Sequence, residues 1–257
     1  MNIFGDKKKR KSLIWATSLK LVLALLVGGS LIYVSDYYRA DMTAIEAFSF
    51  VGDFEEINLD GGDIAFVPKD AVAGFIFYPG GKVEYTAYLP LMRSLAGKGI
   101  LCVLTKMPCN LAVLDMNAAD GIRELYPELT DWYIGGHSLG GSMAASYVDK
   151  NADSFRGLVL LGAYSTADLS DTELSALSLY GSEDKIMNRE KYEKYKSNLP
   201  EKLTEAEFFG FCHAYFGVYG KQKGDGEPTV TNREQIAITS NTIYEFILRS
   251  KADAENN

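Results

Sequence analysis

Histidine is nearly absent from this 257-residue chain, which has two, His137 and His213. Any reaction that needs an imidazole therefore has two candidates to draw on. Cysteine is almost as scarce, at three residues. Cys102 lies inside the apolar run Ile100-Leu101-Cys102-Val103-Leu104 and reads as a small core residue. There are no internal repeats, no low-complexity tracts and no internal linker, which excludes a repeat array. The basic residues form no stripe along the body of the chain, which argues against nucleic acid as a partner. The stretches between apolar runs are short, leaving little material for a large lid.

What is present is divided unevenly. Formal net charge is −8, with 26 basic and 34 acidic residues. Lys7, Lys8, Lys9, Arg10 and Lys11 against Asp6 give the first eleven residues +4; 21 basic against 33 acidic residues give the remainder −12. Directly after the basic cluster, Leu13 to Val34 reads LIWATSLKLVLALLVGGSLIYV, apolar but for Lys20. At about 1.5 Å per residue such a helix covers the roughly 30 Å of bilayer hydrocarbon. Lys20 can snorkel toward the basic side. Positive charge before the span and mixed charge after it (Asp36, Arg39, Asp41) predict a cytoplasmic N-terminus and an extracytoplasmic body. A cleaved signal peptide is the rival reading, with Gly28-Gly29-Ser30 as a loose cleavage site. Leu31-Ile32-Tyr33-Val34 continues the apolar run past that point, and no cysteine follows for lipid attachment; the uncleaved anchor is preferred. The expected organisation is a basic cytoplasmic tail (1–12), a transmembrane anchor (13–35), a connecting helix (36–52) and a catalytic domain (53–257).

Within the body, strand-like and helix-like segments alternate. Glu55–Leu59 and Ile64–Val67 flank Asp60-Gly61-Gly62-Asp63, a hairpin turn signal. Short apolar runs follow at Ala73–Tyr78, Ile100–Leu104, Trp132–Gly135, Leu158–Leu161, Leu177–Tyr180 and Ala206–Phe209. Helices are expected over Arg39–Val51, Tyr85–Lys98, Asn117–Tyr126, Gly141–Lys150, Asn188–Ser197 and Asn232–Arg249. Continuous apolar strands between amphipathic helices predict an α/β fold: a mostly parallel, eight-stranded sheet covered on both faces and opened by an antiparallel hairpin.

The chemistry concentrates at Trp132-Tyr133-Ile134-Gly135-Gly136-His137-Ser138-Leu139-Gly140-Gly141. An apolar run ends in Gly-x-Ser-x-Gly and a helix-forming run follows, the strand–turn–helix context in which that motif marks a nucleophilic serine. Ser138 then needs a base, and the base needs an acid. His137 is inside the turn, with its side chain directed away from the Ser138 hydroxyl, which leaves His213, after the final strand. Asp184, following the strand and turn Leu177–Ser182, is the leading acid; Glu183 is a neighbour able to stand in, and Asp168 and Asp171 are earlier alternatives. The oxyanion of a tetrahedral intermediate needs amide donors. The Leu139 N–H at the start of the helix is one; the second is assigned to Gly81 in Tyr78-Pro79-Gly80-Gly81-Lys82, with Lys82 next. Cys109 and Cys212 fall in loops expected at the same sheet edge, where a disulfide or two free thiols are the alternatives. Asp225, in Lys223-Gly224-Asp225-Gly226-Glu227, reads as a surface turn, since the spacing of ligands does not fit a calcium loop.

The chain resembles the α/β-hydrolase superfamily, and within it the small lidless bacterial group labelled α/β-hydrolase fold-5. The pieces that carry the resemblance are Tyr78-Pro79-Gly80-Gly81, Met107-Pro108-Cys109-Asn110-Leu111-Ala112, Gly136-His137-Ser138-Leu139-Gly140-Gly141, Tyr180-Gly181-Ser182-Glu183-Asp184, and His213-Ala214-Tyr215-Phe216-Gly217-x-Tyr219-Gly220. They lie within roughly residues 55 to 250. The resemblance implies the eight-stranded sheet, a Ser138/Asp184/His213 triad and an acyl-enzyme mechanism on a small-molecule acyl substrate. It implies no metal and no organic cofactor. Cysteine at 109 and 212 departs from the pattern beside two of the motifs. Carboxylesterase activity is the leading expectation. An acyltransferase, thioesterase or amidase would use the same residues, and a binding protein that retained the fold is the non-catalytic alternative.

Overall fold

The computed structural model describes residues 3–255 of the chain. Residues 1 and 2 of the expected basic tail, and 256 and 257 at the end of the expected catalytic domain, lie outside the described residues. Two compact units are present, Met1–Tyr37 and Tyr38–Asn257. The first is a single helix, α1 (Ile3–Ser35, 33 residues). Its stretch Ser18–Ser35 is long and apolar enough to cross a membrane, the one such helix among the described residues.

The second unit holds one eight-stranded sheet in the spatial order β1-β2-β4-β3-β5-β6-β7-β8. Its strands are β1 (Phe54–Asn58), β2 (Ile64–Pro68), β3 (Ala73–Tyr78), β4 (Ile100–Leu104), β5 (Trp132–His137), β6 (Gly157–Leu161), β7 (Ser175–Gly181) and β8 (Lys202–Phe208). β1 and β2 form the expected hairpin, turned where Gly61 (φ 84°) and Gly62 (φ 94°) take left-handed conformations that side chains disfavour. β2 also runs antiparallel to β4; every pairing from β4 to β8 is parallel.

The helices of this unit are α2 (Met42–Glu46), α3 (Leu89–Ala96), α4 (Leu139–Asp149), α5 (Arg189–Tyr195) and α6 (Asn232–Glu255). Period-two alternation splits each central strand between two apolar layers. Phe75, Phe77, Val159, Leu161, Leu177 and Leu179 pack in the cluster that includes residues of α3 and α6. Ile76, Tyr78, Trp132, Ile134, Leu158 and Leu160 pack in the cluster that includes α4. Both faces of β3 to β7 are thus buried, which is why these strands read as unbroken apolar runs. Burying each Leu, Ile or Phe side chain contributes about 1.5–3 kcal/mol.

Two expected helices are much shorter than their sequence spacing suggests. Over Asn117–Tyr126 the chain makes turns and a single 3₁₀ turn, Arg123–Leu125; Gly121 adopts φ 77° and Pro127 follows directly. Over Arg39–Val51 only α2 forms, with its N-terminal amide at Ala44 capped by the Asp41 carboxylate at 3.0 Å. Beyond it, Gly52 approaches Gly97 so closely that a side-chain carbon there would lie 2.4 Å from the Gly97 Cα.

Candidate active site

β5 ends at His137 and α4 starts at Leu139, so Ser138 alone makes the turn between them, at φ 53° and ψ −122°. This is a strained conformation for a residue with a side chain. It is held by the Ser138 N–H donating to Leu161 O at 2.9 Å and by close backbone packing on either side. A Cβ on Gly136 would sit 2.5 Å from Tyr78 O, and one on Gly140 2.2 Å from Pro79 O. Both flanking positions are therefore closed to any other residue. The turn lifts Ser138 to partial exposure at the C-terminal edge of the sheet.

Asp184 and His213 come from the loops after β7 and β8. His213 Nδ1 lies 2.8 Å from Asp184 Oδ2, and the two side chains are 1% and 0% exposed. The other carboxylate oxygen, Oδ1, accepts the N–H groups of Ile186 and Met187 at 3.0 and 2.9 Å. With Asp184 acting only as acceptor, the proton on Nδ1 belongs to His213 and Nε2 is left as the basic nitrogen. Among the described residues no hydrogen bond yet joins the Ser138 hydroxyl to that nitrogen; such contacts often tighten only around substrate. Of the alternative acids, Glu183 accepts from Ser182 Oγ, Asp168 accepts from Ser170, and Asp168 and Asp171 are exposed. None of them meets His213.

The loop after β3 sorts its own amides. Gly80 N–H donates to Tyr88 Oη at 3.0 Å, and Lys82 N–H donates to Asn110 O at 2.7 Å. Among the described residues that leaves the Gly81 amide without a partner, like the Leu139 amide at the first residue of α4. Gly81 packs against Leu139, where an added Cβ would lie 2.8 Å from Leu139 Cδ2. The two assigned oxyanion donors are thus neighbours, and Lys82, the second choice from sequence, is already spent.

The Cys109–Cys212 pairing is not made. All three cysteines are free; Cys109 is exposed on the loop after β4, whereas Cys212 is buried in the core with Phe211, Ala214 and Phe216. A disulfide needs the two Cβ atoms about 4 Å apart. These two side chains instead occupy different environments, and Gln235 on α6 holds the Cys212 backbone through Oε1 and Nε2.

Three contributors escape a reading of the sequence. Gly162, just beyond β6, adopts φ 52°, and a Cβ there would lie 2.9 Å from both Asp184 Oδ2 and His213 Nδ1. The Asp225 carboxylate accepts from Ala214 N–H at 2.8 Å and Lys185 N–H at 3.3 Å, tying together the loops that carry His213 and Asp184. It is a clamp and not merely a surface turn. Tyr88 is buried between the Gly80 loop and His137. Only the Gly-Asp-Gly string around Asp225 carried a local signal.

Comparison with known proteins adds the family. The model for "Alpha/beta hydrolase family" matches residues 74–237. No curated protein sequence matches the chain. Among solved structures, Est1E from Butyrivibrio proteoclasticus superposes with a TM-score of 0.57 at 14% identity, covering 77% of this chain and 99% of that one. A "predicted CIB-like hydrolase" from Thermoplasma acidophilum gives a TM-score of 0.53, also at 14% identity, covering 77% of this chain and 100% of that one. At such identities the two structures share the fold.

Proposed function

This chain belongs to the alpha/beta hydrolase family, and on that premise we propose that it is a membrane-anchored serine hydrolase that cleaves carboxylic esters of small or medium acyl groups. The observation that carries the reading is the buried Asp184–His213 bond at 2.8 Å beside a serine held at φ 53° between a strand and a helix. Ser138 Oγ attacks the ester carbonyl while His213 Nε2 takes its proton. Asp184 holds the imidazole by its Nδ1–H and balances the charge of the imidazolium. The Leu139 and Gly81 amides receive the oxyanion, and removing one such donor typically costs about 10²–10³ in turnover. His213 then protonates the departing alcohol. Water enters, gives a proton to His213 and attacks the acyl-enzyme; collapse releases the carboxylic acid and restores Ser138.

Incubation of the full chain with a p-nitrophenyl ester, quenched in acid and read by intact mass, tests this scheme. The expected product is an acyl adduct on Ser138 that is absent from Ser138→Ala; hydrolysis without any adduct, or an adduct elsewhere, would contradict it. Thioester and amide substrates alongside separate the ester reading from its neighbours, and an alcohol acceptor tests for acyl transfer. The apolar stretch Ser18–Ser35 of α1 and the basic cluster Lys7–Lys11 ahead of it support an anchor with the catalytic unit outside the cytoplasm. Protease shaving of intact cells should release that unit, and its protection would reverse the topology.

A further inference from the structure

A buried hydroxyl that takes no part in this scheme joins two of the loops that do. Tyr88 is fully buried at the end of the 3₁₀ turn Tyr85–Tyr88, which follows the Gly80–Gly81 loop. Its Oη accepts the Gly80 N–H at 3.0 Å and lies 2.7 Å from His137 Nδ1. Burial keeps this phenol protonated, since it disfavours the phenolate. The O–H proton has an acceptor if Nδ1 is bare. The opposite arrangement, with Nδ1–H donating to Oη, would leave both the hydroxyl proton and the bare Nε2 without a partner in the core, two unmet groups against one. His137 therefore carries its proton on Nε2.

That second nitrogen is itself unusual. His137 Nε2 is buried and has no hydrogen-bond partner among the described residues. The His137 ring centroid lies 4.3 Å from that of His213 and 5.4 Å from that of Phe216. Burial, followed by the nearby His213 ring, holds His137 well below the ordinary imidazole range against a smaller opposing pull from the His213 backbone, so it stays neutral beside the base. The site is also shaped for this contact. A Cβ on Gly80 would lie 2.7 Å from Tyr88 Oη and 2.8 Å from His137 Nδ1, so glycine at 80 is what admits the hydroxyl.

We propose that Tyr88 and His137 are positioning residues of this site: Tyr88 Oη holds Gly80, and with it the Gly81 amide, in register with the Ser138 turn, and sets His137 as the Nε2–H tautomer facing His213. The inference rests on the serine-hydrolase reading. Neither residue touches substrate. Tyr88 acts through the peptide next to the oxyanion donor, and His137 through the residue next to the nucleophile.

Tyr88→Phe keeps the ring and its packing but removes the hydroxyl. In the full chain in detergent micelles, with p-nitrophenyl butyrate as substrate, kcat should fall about 10- to 100-fold, below the loss expected when an oxyanion donor itself is removed. KM should stay within about twofold. The Ki of an aliphatic trifluoromethyl ketone, which forms a tetrahedral oxyanion on the serine, should rise by the same factor as kcat/KM falls. General loosening of the core would not impose that match between Ki and kcat/KM. An active wild type paired with a Tyr88→Phe variant unchanged in kcat and Ki would overturn the positioning role alone. A wild type inert toward both ester and ketone would instead remove the hydrolase reading, and the positioning role with it. If Tyr88→Phe fails to fold, a long-range ¹H–¹⁵N spectrum of the wild type decides, because only two imidazoles need assignment. His137 should show the Nε2–H tautomer at neutral pH, and an Nδ1–H tautomer would overturn the proposal.

Discussion

The two edges of the sheet in the second unit differ in what their polar groups and backbone are doing. At the N-terminal ends of β6, β7 and β8 lies a cavity of about 490 Å³, lined in part by Arg156, Asp171, Glu173 and Lys202. Three of its charged groups are engaged in surface pairs, Arg156 with Asp131 and Lys202 with Glu173. At the opposite edge, the side-chain-bearing residues at positive φ among those described are Lys82, Cys109, Asn110 and Ser138. All four follow the C-terminal ends of β3, β4 and β5. Among the described residues, that edge also holds the buried Asp184–His213 pair, a His137 Nε2 that makes no hydrogen bond, and the unbonded Gly81 and Leu139 amides. Backbone strain and buried polar pairs cost stability, and a fold retains them where they do something. Open volume costs little. The difference teaches that the strained edge is where chemistry should be sought.

Substitutions at matched positions can break this comparison. The largest effect is expected at the strained edge itself. Ser138→Ala should lower ester turnover by about 10⁶ and Asp184→Asn by about 10⁴, both read as kcat. Asp171→Asn and Lys202→Ala, at the edge with the cavity, should leave kcat/KM within about twofold of wild type, a range expected of surface polar changes. Gly162 and Gly61 offer a subtler pair, since both have positive φ. Gly162→Ala should cost about 10² in kcat by pushing a methyl group between Asp184 and His213. Gly61→Ala meets no atom within 4 Å. It should cost about 1 kcal/mol of stability from left-handed strain, measured by urea unfolding, and no activity.

A smaller effect is expected from pH. His137 is held neutral in the folded unit, first by burial and then by His213, well below its ordinary value of 6.5. The unfolded chain takes up a proton as pH falls through about 6.5 while the native site does not. Stability should therefore fall below that pH, by up to about 1.4 kcal/mol per pH unit, and be unaffected by this group above it. His137→Asn should flatten that slope in denaturation measured at successive pH values. The smallest effect is chemical. Burial, then the nearby Asp225, pushes the Cys212 thiol up to about 12, and Cys102 is raised by burial alone. Iodoacetamide should modify the exposed Cys109 in the native protein and reach the other two cysteines only after denaturation, as peptide mass mapping would show.

How much of this was legible in sequence depended on how local each feature is. β3 and β4 were readable to the residue because both faces are buried and every position is apolar. β8 was caught only near its end, over Ala206–Phe209, because an edge strand alternates: Lys202, Thr204, Glu205 and Glu207 are exposed in it. The Ser138 turn was legible because steric closure confines its flanks to glycine, and His213 because so few histidines compete. Asn117–Tyr126 was misread because the helical spacing of its apolar residues outweighed Gly121 and Pro127. Tyr88, Gly162 and Asp225 act across contacts that no local pattern encodes. The Tyr88–His137 contact, for instance, spans 49 residues of chain. For Cys109 and Cys212 a disulfide and two free thiols both stood open, because a shared sheet edge does not specify which way a side chain faces; the structure has the free thiols.

Fluorophosphonate labelling of the full chain tests the central claim most directly, because the probe reports an activated serine without presupposing the acyl group. The wild type should label at Ser138, Ser138→Ala should not label, and Asp184→Asn should label far more slowly. An unlabelled wild type, or equal labelling of wild type and Ser138→Ala, would contradict the account.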